Sequence, residues 1–556
     1  MTRIGDKISQ TGAGLALSLL AACGGGSGGG SGGGSGGGSG GMAAPAPAPA
    51  ALPTPDVSAV AAADPGSALP EGWQRGAFMQ IFVRSYQDSD GDGIGDLRGL
   101  TRRLDYLRDL GVSGIWLMPI TKSQDGDHGY AVTDYRDIEP AYGRLADLDE
   151  LLKQAHARGI GVILDHVINH SAARHPLFVN ASSAPGNAWR DWYVWQDPAP
   201  VWSVWGGNPW RATVNGAYYA LFWDQMPDFN LKKPEVVEFH KNALRFWLNR
   251  GVDGFRFDAV GTLIENGPTA ALDQPRNYTL MNEMRQLLDG YAHRHMVCEG
   301  PDDPRGYGAA SACGSAFAFD LSATLIASAR GDAAAVARLA AYFQTAPAGM
   351  APFLSNHDGF AGLRPADQLG GDLARLKLAA SAYLLLPGTP FIYYGEEIGL
   401  RTALALGGDA ALRTPMAWSD APNAGFTTGT PYRPLGPNAA ASHVAAQQAD
   451  PDSLLQHYRT LIALRRAVVP LRDGDYAHAT TSGALLSYQR RTAGAAATVA
   501  INFGGTMAEA VLTGLPAHAT LQAAYPAGAA PLTSDAAGQA RVTVPAQSLR
   551  VYTHPR

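Results

Sequence analysis

From about residue 77 onward, short apolar runs alternate with amphipathic stretches some eight times. No other feature constrains the chain as tightly. The runs are FMQIFV (78–83), GIWLMPI (114–120), GVILDHV (161–167), GFRFDAV (254–260), MVCEG (296–300), FAFDL (317–321), PFLSNHD (352–358) and FIYYGEE (391–397). Helical patterns lie between most of them, at 97–110, 145–158, 234–250, 278–293, 333–343 and 373–386. Strand–helix alternation builds a parallel sheet. Eight such units predict an α/β fold, a closed (β/α)8 TIM barrel over 77–476, whose functional residues gather at the C-terminal strand ends. A stretch rich in Trp, Gly, Asn and Pro, about 168–233, is too long for an ordinary strand–helix connection and predicts a small inserted lobe. Residues 477–556 switch to short alternating runs (ALLSYQR, ATVAIN, ARVTVP, LRVYTH), the pattern of a C-terminal antiparallel β-sandwich.

The N-terminal residues follow another logic. Arg3 and Lys7 precede a short apolar core, LALSLLAA (15–22), which is too short to span a bilayer. It ends at Leu20-Ala21-Ala22-Cys23, which resembles a bacterial lipobox and implies a signal peptide over 1–23 with Cys23 lipidated. Residues 24–76 read as a Gly/Ser and then Pro/Ala linker. The expected location is the bacterial cell envelope, at the periplasm or outer membrane face, or outside the cell. Membrane contact is expected only through the lipid anchor, and the protein is expected to be a monomer. With 43 basic and 49 acidic residues the net charge is −6, which argues against nucleic acid as a partner.

Carboxylates recur at the predicted strand ends: Asp165 on the third strand, Asp258 on the fourth, Glu299 on the fifth and Asp358 on the seventh. Arg256 and Asp258 are two residues apart, so both point inward while Phe255 and Phe257 face the helices. Acids crowded into one pocket raise each other's pKa. Such pairs suit cleavage of a glycosidic bond, where one protonates the leaving oxygen and another attacks or stabilises the developing cation. No G-x-S-x-G elbow or phosphate loop competes with this reading. A zinc site from His166, His170 and His357 is an alternative, but no H-E-x-x-H or cysteine ligands accompany it.

The blocks DHVINH (165–170), GFRFDAV (254–260), CEG (298–300) and FLSNHD (353–358) resemble the four signature regions of the α-amylase family, glycoside hydrolase family 13. HGYAVTDY (128–135), MPDFN (226–230) and RTPMAW (413–418) resemble further blocks of that family, in the same order. The resemblance implies that Asp258 is the nucleophile, Glu299 the general acid and then base, and Asp358 the group that stabilises the transition state. Arg256 would keep Asp258 ionised. Asp165, His128, Tyr130, His170 and His357 would hold the sugar, and the anomer would be retained.

MPDFN resembles the intermediary and neopullulanase-like lipoprotein α-amylases, which implies hydrolysis of α-1,4 bonds in starch or maltooligosaccharides. Asp127, also expected to bind substrate, instead resembles the acid of exo-acting α-glucosidases. Endo or exo action, hydrolysis or transglycosylation, therefore stay open. A non-catalytic sugar-binding relative is disfavoured by the presence of all three acids.

Residues 88–96 (DSDGDGIGD) space oxygen ligands as a calcium loop does, from Asp88, Asp90, Asp92, the Ile94 carbonyl and Asp96. They resemble the loop after the first strand in many family members, and Ca²⁺ is the expected cofactor. Asn169 is assigned to a second calcium site of the family. Cys298 and Cys313 are expected as free core thiols, although export would permit a disulfide.

Overall fold

The computed structural model describes residues 51–556; the expected signal segment, Cys23 and the Gly/Ser stretch lie outside the described residues. Eight parallel strands form one sheet: β1 (Phe78–Ile81), β2 (Gly114–Leu117), β3 (Gly161–His166), β4 (Gly254–Phe257), β5 (His295–Cys298), β6 (Ala316–Phe317), β7 (Met350–Ala351) and β8 (Phe391–Tyr393). Their order in space is 7-6-5-4-3-2-1-8, and Phe391 N–H donates to Pro352 O at 3.0 Å to link the two outer strands. This is the expected (β/α)8 barrel.

Alternation along the strands sorts the side chains into two cores. Phe78, Trp116, Ile163, Val297, Phe317 and Phe391 fill the barrel, while Met79, Ile115, Val162, Leu164, Phe255 and Phe257 pack outward against the helices. The seams are unequal. β4 and β5 pair through four residues, β5 and β6 through Cys298 and Ala316 alone, and β6 and β7 through two.

Three expectations need correction. FAFDL is a strand only to Phe317; a helix begins at Phe319 and runs to Ala329. A short apolar run does not by itself separate a buried strand from a buried helix. The seventh strand ends at Ala351, so PFLSNHD lies wholly in the loop that follows it. Residues 51–76 are not a free spacer. Asn180 donates to Pro53 O (2.6 Å), Val60 N–H to Asn242 (2.8 Å) and Ala63 N–H to Asn249 (2.9 Å). Arg294 reaches Gly66 O at 2.8 Å. Leu69 and Trp73 then enter the lower end of the barrel core, Trp73 stacking on Phe78 at 5.3 Å. Gly161 is required there, since any Cβ would collide with the Trp73 ring.

The insertion after β3 carries a helix (Pro176–Ser183) and a three-stranded antiparallel sheet. Its cluster of Phe178, Tyr193, Trp195 and Tyr218 is held by ring packing at 4.9–5.7 Å. After the barrel, a six-stranded antiparallel sheet begins at Asp475 and faces a two-stranded ribbon (Ala508–Leu512 with Ala540–Val544) across an apolar layer. Tyr476 OH and Arg490 fasten this domain to carbonyls of Ala340 and Leu385. Among the described residues no helix is long and apolar enough to cross a membrane.

Candidate active site

The same alternation that fills the barrel delivers polar groups to its upper end. Asp165 is two residues beyond Ile163 on β3, and Glu299 two beyond Val297 on β5. Arg256 on β4 stands between them, its side chain 1% exposed. Its Nη1 donates to Asp165 Oδ1 and Oδ2 (2.8 and 2.9 Å) and to Asp258 Oδ1 (2.6 Å). Its Nη2 lies 2.6 Å from Glu299 Oε2. Asp258 and Glu299 are therefore neighbours on one guanidinium, each 2.6 Å from it. One guanidinium thus holds three acids together, as charge-assisted bonds at a buried site do.

The other wall comes from the loop after β7. His357 Nε2 is 3.1 Å from Asp358 Oδ2, and Arg413 Nη2 is 3.1 Å from Asp358 Oδ1. Gln80 on β1 holds His357 Nδ1 at 2.7 Å, and Tyr130 OH meets His357 Nε2 at 2.7 Å. Tyr130 OH also donates to Asp165 at 3.1 Å. A cavity of about 350 Å³ opens above these groups, lined by His128, Tyr130, His170, Phe222, Trp223, Asp258, Glu299, His357, Asp358 and Arg413.

Burial sets the protonation pattern. It pushes the Asp258 carboxyl up to about 6, with Arg256 pulling it back and Asp165 adding to the rise. It pushes Glu299 up to about 7, where Arg256 again opposes and the Asp258 charge reinforces. Asp358 is raised well above the usual carboxylate range by burial, then by Asp409, against the pull of Arg413. His357 is pushed well down by burial and then by Arg413 and Arg256, so its ring is neutral. The site therefore carries one carboxyl readily ionised and one that keeps its proton near neutrality. Ala259, the residue after Asp258, has φ 48°, and its N–H donates to Glu299 Oε2 at 3.1 Å. A left-handed alanine costs roughly 1–2 kcal/mol; here it turns that N–H onto the carboxylate.

The structure brings Asp258, Glu299, Asp358, His128, Tyr130, His170 and His357 to one cavity. It does not bring Asp165, Arg256 or Asp127 to the lining. Asp165 and Arg256 lie one layer down, beneath the floor, and reach the cavity through Tyr130 and Asp258. Asp127 sits behind His128 and forms a two-pronged ion pair with Arg433 (2.9 and 3.0 Å). The zinc arrangement is not formed. His166 points outward among Phe255, Phe257 and His240, as its odd place beside Asp165 requires.

In the 88–96 loop the carboxylates of Asp88, Asp90 and Asp96 converge within 4.8 Å, the one such acidic group among the described residues. Asp92 stands outside it, its Oδ1 accepting from Ile94 N–H at 2.7 Å. Burial and the like charges of Asp90, Asp88 and Asp96 raise the Asp92 carboxyl. Asn169 is far from this loop in its contacts. Its Nδ2 donates to Asp228 at 2.9 Å, while its Oδ1 is buried without a partner. Burial pushes Asp228 up to about 8, so the Asn169–Asp228 contact offers oxygens at a barrel–lobe junction.

Several residues in or around the pocket are not singled out by the sequence reading. Gln80 shares the inward phase of Phe78, and Arg413 opens the RTPMAW block, so both could have been found. Phe222, Trp223 and Arg433 sit on irregular loops without a period. Cys298 and Cys313 form a disulfide, correcting the free-thiol expectation.

With this geometry in view, comparison with known proteins places the chain. The α-amylase family's catalytic domain matches residues 80–474, and the chain belongs to that family of glycoside hydrolases. A probable α-glucosidase of Rhizobium meliloti is 35% identical over 482 residues, covering 75% of this chain and 87% of its own. Alpha-amylase 3 of Dictyoglomus thermophilum is 36% identical over 436 residues, covering 75% and 83%. The crystal structure of an α-glucosyl transfer enzyme, XgtA, superposes with a TM-score of 0.75 at 29% identity, covering 87% of this chain and 100% of that one.

Proposed function

We propose that the protein is a retaining α-glucosidase acting at the non-reducing end of α-linked glucosyl oligosaccharides, with transfer to a sugar hydroxyl as its side reaction. The Asp127–Arg433 ion pair carries this reading. It ties the loop after β2 to the loop after β8 directly behind His128 and Arg413, both of which line the cavity. On this reading the tie braces that side of the cavity, so that it receives a chain end rather than the middle of a chain. The resemblance of Asp127 to the acid of exo-acting enzymes points the same way. So do the relatives named as α-glucosidase and as glucosyl transfer enzyme. The endo-acting, neopullulanase-like reading is set behind it.

In this mechanism Asp258 attacks the anomeric carbon while Glu299 donates its proton to the departing oxygen. Water, or an acceptor hydroxyl, then attacks the glycosyl-enzyme with Glu299 as base, and the α-anomer is restored. Two carboxyls gathered on one guanidinium, each 2.6 Å from it, suit this double displacement better than the roughly 6.5–9.5 Å separation that leaves room for a water. Arg256 lowers both carboxyls, and Asp258, at about 6 against about 7 for Glu299, is the stronger acid of the two. Asp358, with neutral His357 and Arg413, holds ring hydroxyls. A structural Ca²⁺ bound by Asp88, Asp90 and Asp96 fits the hard oxygen ligands that cation prefers, and Asn169 with Asp228 would form a second site. Export is supported by the disulfide, which forms in oxidising compartments.

Digestion of maltotetraose and soluble starch tests the proposal. Glucose as the only early product supports it, and early mixtures of maltose and maltotriose overturn it. Asp127→Ala should raise KM for maltose at least tenfold.

A further inference from the structure

The disulfide stands at one of the barrel's thinly paired seams. β4 grips β5 through four paired residues, whereas β6 meets it only at Cys298, whose N–H donates to Ser315 O at 3.0 Å. Cys298 ends β5 and faces the outer core; the next residue, Glu299, turns inward to the cavity. Cys313, two residues before Ser315, closes a 15-residue separation back onto that strand end.

The enclosed loop is packed tightly against the Glu299 backbone. Gly300 has no room for a Cβ, because the Tyr307 ring fills that space. Tyr307 stacks on Tyr278 at 4.4 Å, and its OH donates to Val260 O (3.2 Å) and Asp273 Oδ1 (3.0 Å). Cys313 N–H returns to Tyr307 O at 3.1 Å, and Val260 N–H donates to Glu299 O at 3.0 Å. The chain on both sides of Glu299 is thus bound into one ring of contacts, and the sulfur bridge is its only covalent closure.

We propose that the Cys298–Cys313 disulfide is a positioning element for the general acid. It supplies on the β6 side the restraint that four ladder positions supply on the β4 side, and so fixes the Glu299 carboxyl against the leaving oxygen. The inference rests on the reading of Glu299 as the acid. Misplacement of a catalytic group by about 1 Å costs on the order of 10²-fold in rate, and the β6 side of this strand end, with its one ladder position, is where such a shift would begin.

The test pairs two substrates. Maltose needs a proton on its leaving oxygen, whereas α-glucosyl fluoride expels fluoride without one. In the Cys298→Ala/Cys313→Ala double variant, kcat/KM for maltose should fall about 10- to 100-fold. That for the fluoride should stay within about threefold, and the alkaline limb of the maltose pH profile should move. Glu299→Gln should show the same selectivity more strongly. If Glu299→Gln lacks it, the assignment of the acid fails. If Glu299→Gln shows it while the double variant loses both substrates equally, or neither, the positioning role is overturned. Cys298→Val/Cys313→Ala, closer in volume to the buried bridge, gives the same readout should the first variant not fold.

Discussion

Two groups of buried acids stand within this barrel, and they are treated in opposite ways. At the upper end, Asp165, Asp258 and Glu299 share Arg256, with charge-assisted bonds as short as 2.6 Å. Beyond β8, the adjacent Glu396 and Glu397 meet phenols instead. Tyr383 and Tyr458 donate to Glu396 Oε1 at 2.7 and 2.8 Å, and Tyr106 to Glu397 at 2.6 Å. Burial pushes Glu396 up to about 8 and raises Glu397, with no cation bonded to either carboxylate. A guanidinium opposes the rise that burial imposes with a full countercharge, whereas the phenols oppose it with hydrogen bonds alone. The residue type alone does not separate chemistry from scaffold; the partner does.

The contrast can be broken at either group. Asp258→Asn should lower kcat by about 10⁴-fold or more, since removing one member of a covalent machinery removes most of its effect. Arg256→Met should destabilise the fold by about 3–5 kcal/mol, because it strands buried charges. It should also shift the acid limb of the activity profile upward, which thermal melts and a pH series would show. In the unaltered protein kcat/KM should rise as Asp258 ionises near pH 6 and fall as Glu299 loses its proton near pH 7, giving a mildly acidic optimum. Glu299→Gln should abolish the falling limb.

Glu396→Gln should have the smallest effect, leaving kcat within about twofold, as surface or scaffold changes usually do. Its signature is in stability. A carboxyl whose pKa is about 8 when folded and near 4.5 when unfolded binds its proton more tightly in the folded state. Stability is then fully present below about pH 4.5 and is lost as pH rises toward 8, by up to about 1.4 kcal/mol per unit. The glutamine variant should flatten that slope in a melting series. An unchanged slope would mean that Glu396 does not titrate in this window.

Much of this was legible beforehand because one period carries two messages. The inward phase of β3, β4 and β5 predicts both an apolar filling and, one layer higher, Asp165, Arg256 and Glu299. The expectation failed where period-two runs are too short to speak. β6 and β7 have two residues each, so FAFDL and PFLSNHD were assigned in the wrong place or length. Phe222, Trp223 and Arg433 reach the site from loops that no local pattern marks. The pairing of Cys298 with Cys313 depends on the fold of the loop between them, and a spacing of 15 says nothing about that by itself.

Trp73 has a practical corollary. A truncation placed at the apparent start of the barrel, just before Ala77, would pull a stopper from its lower mouth and bare Phe78 and His295, which its ring covers at 5.3 and 6.3 Å. A fusion partner joined at that point would be grafted onto the enzyme's own foundation.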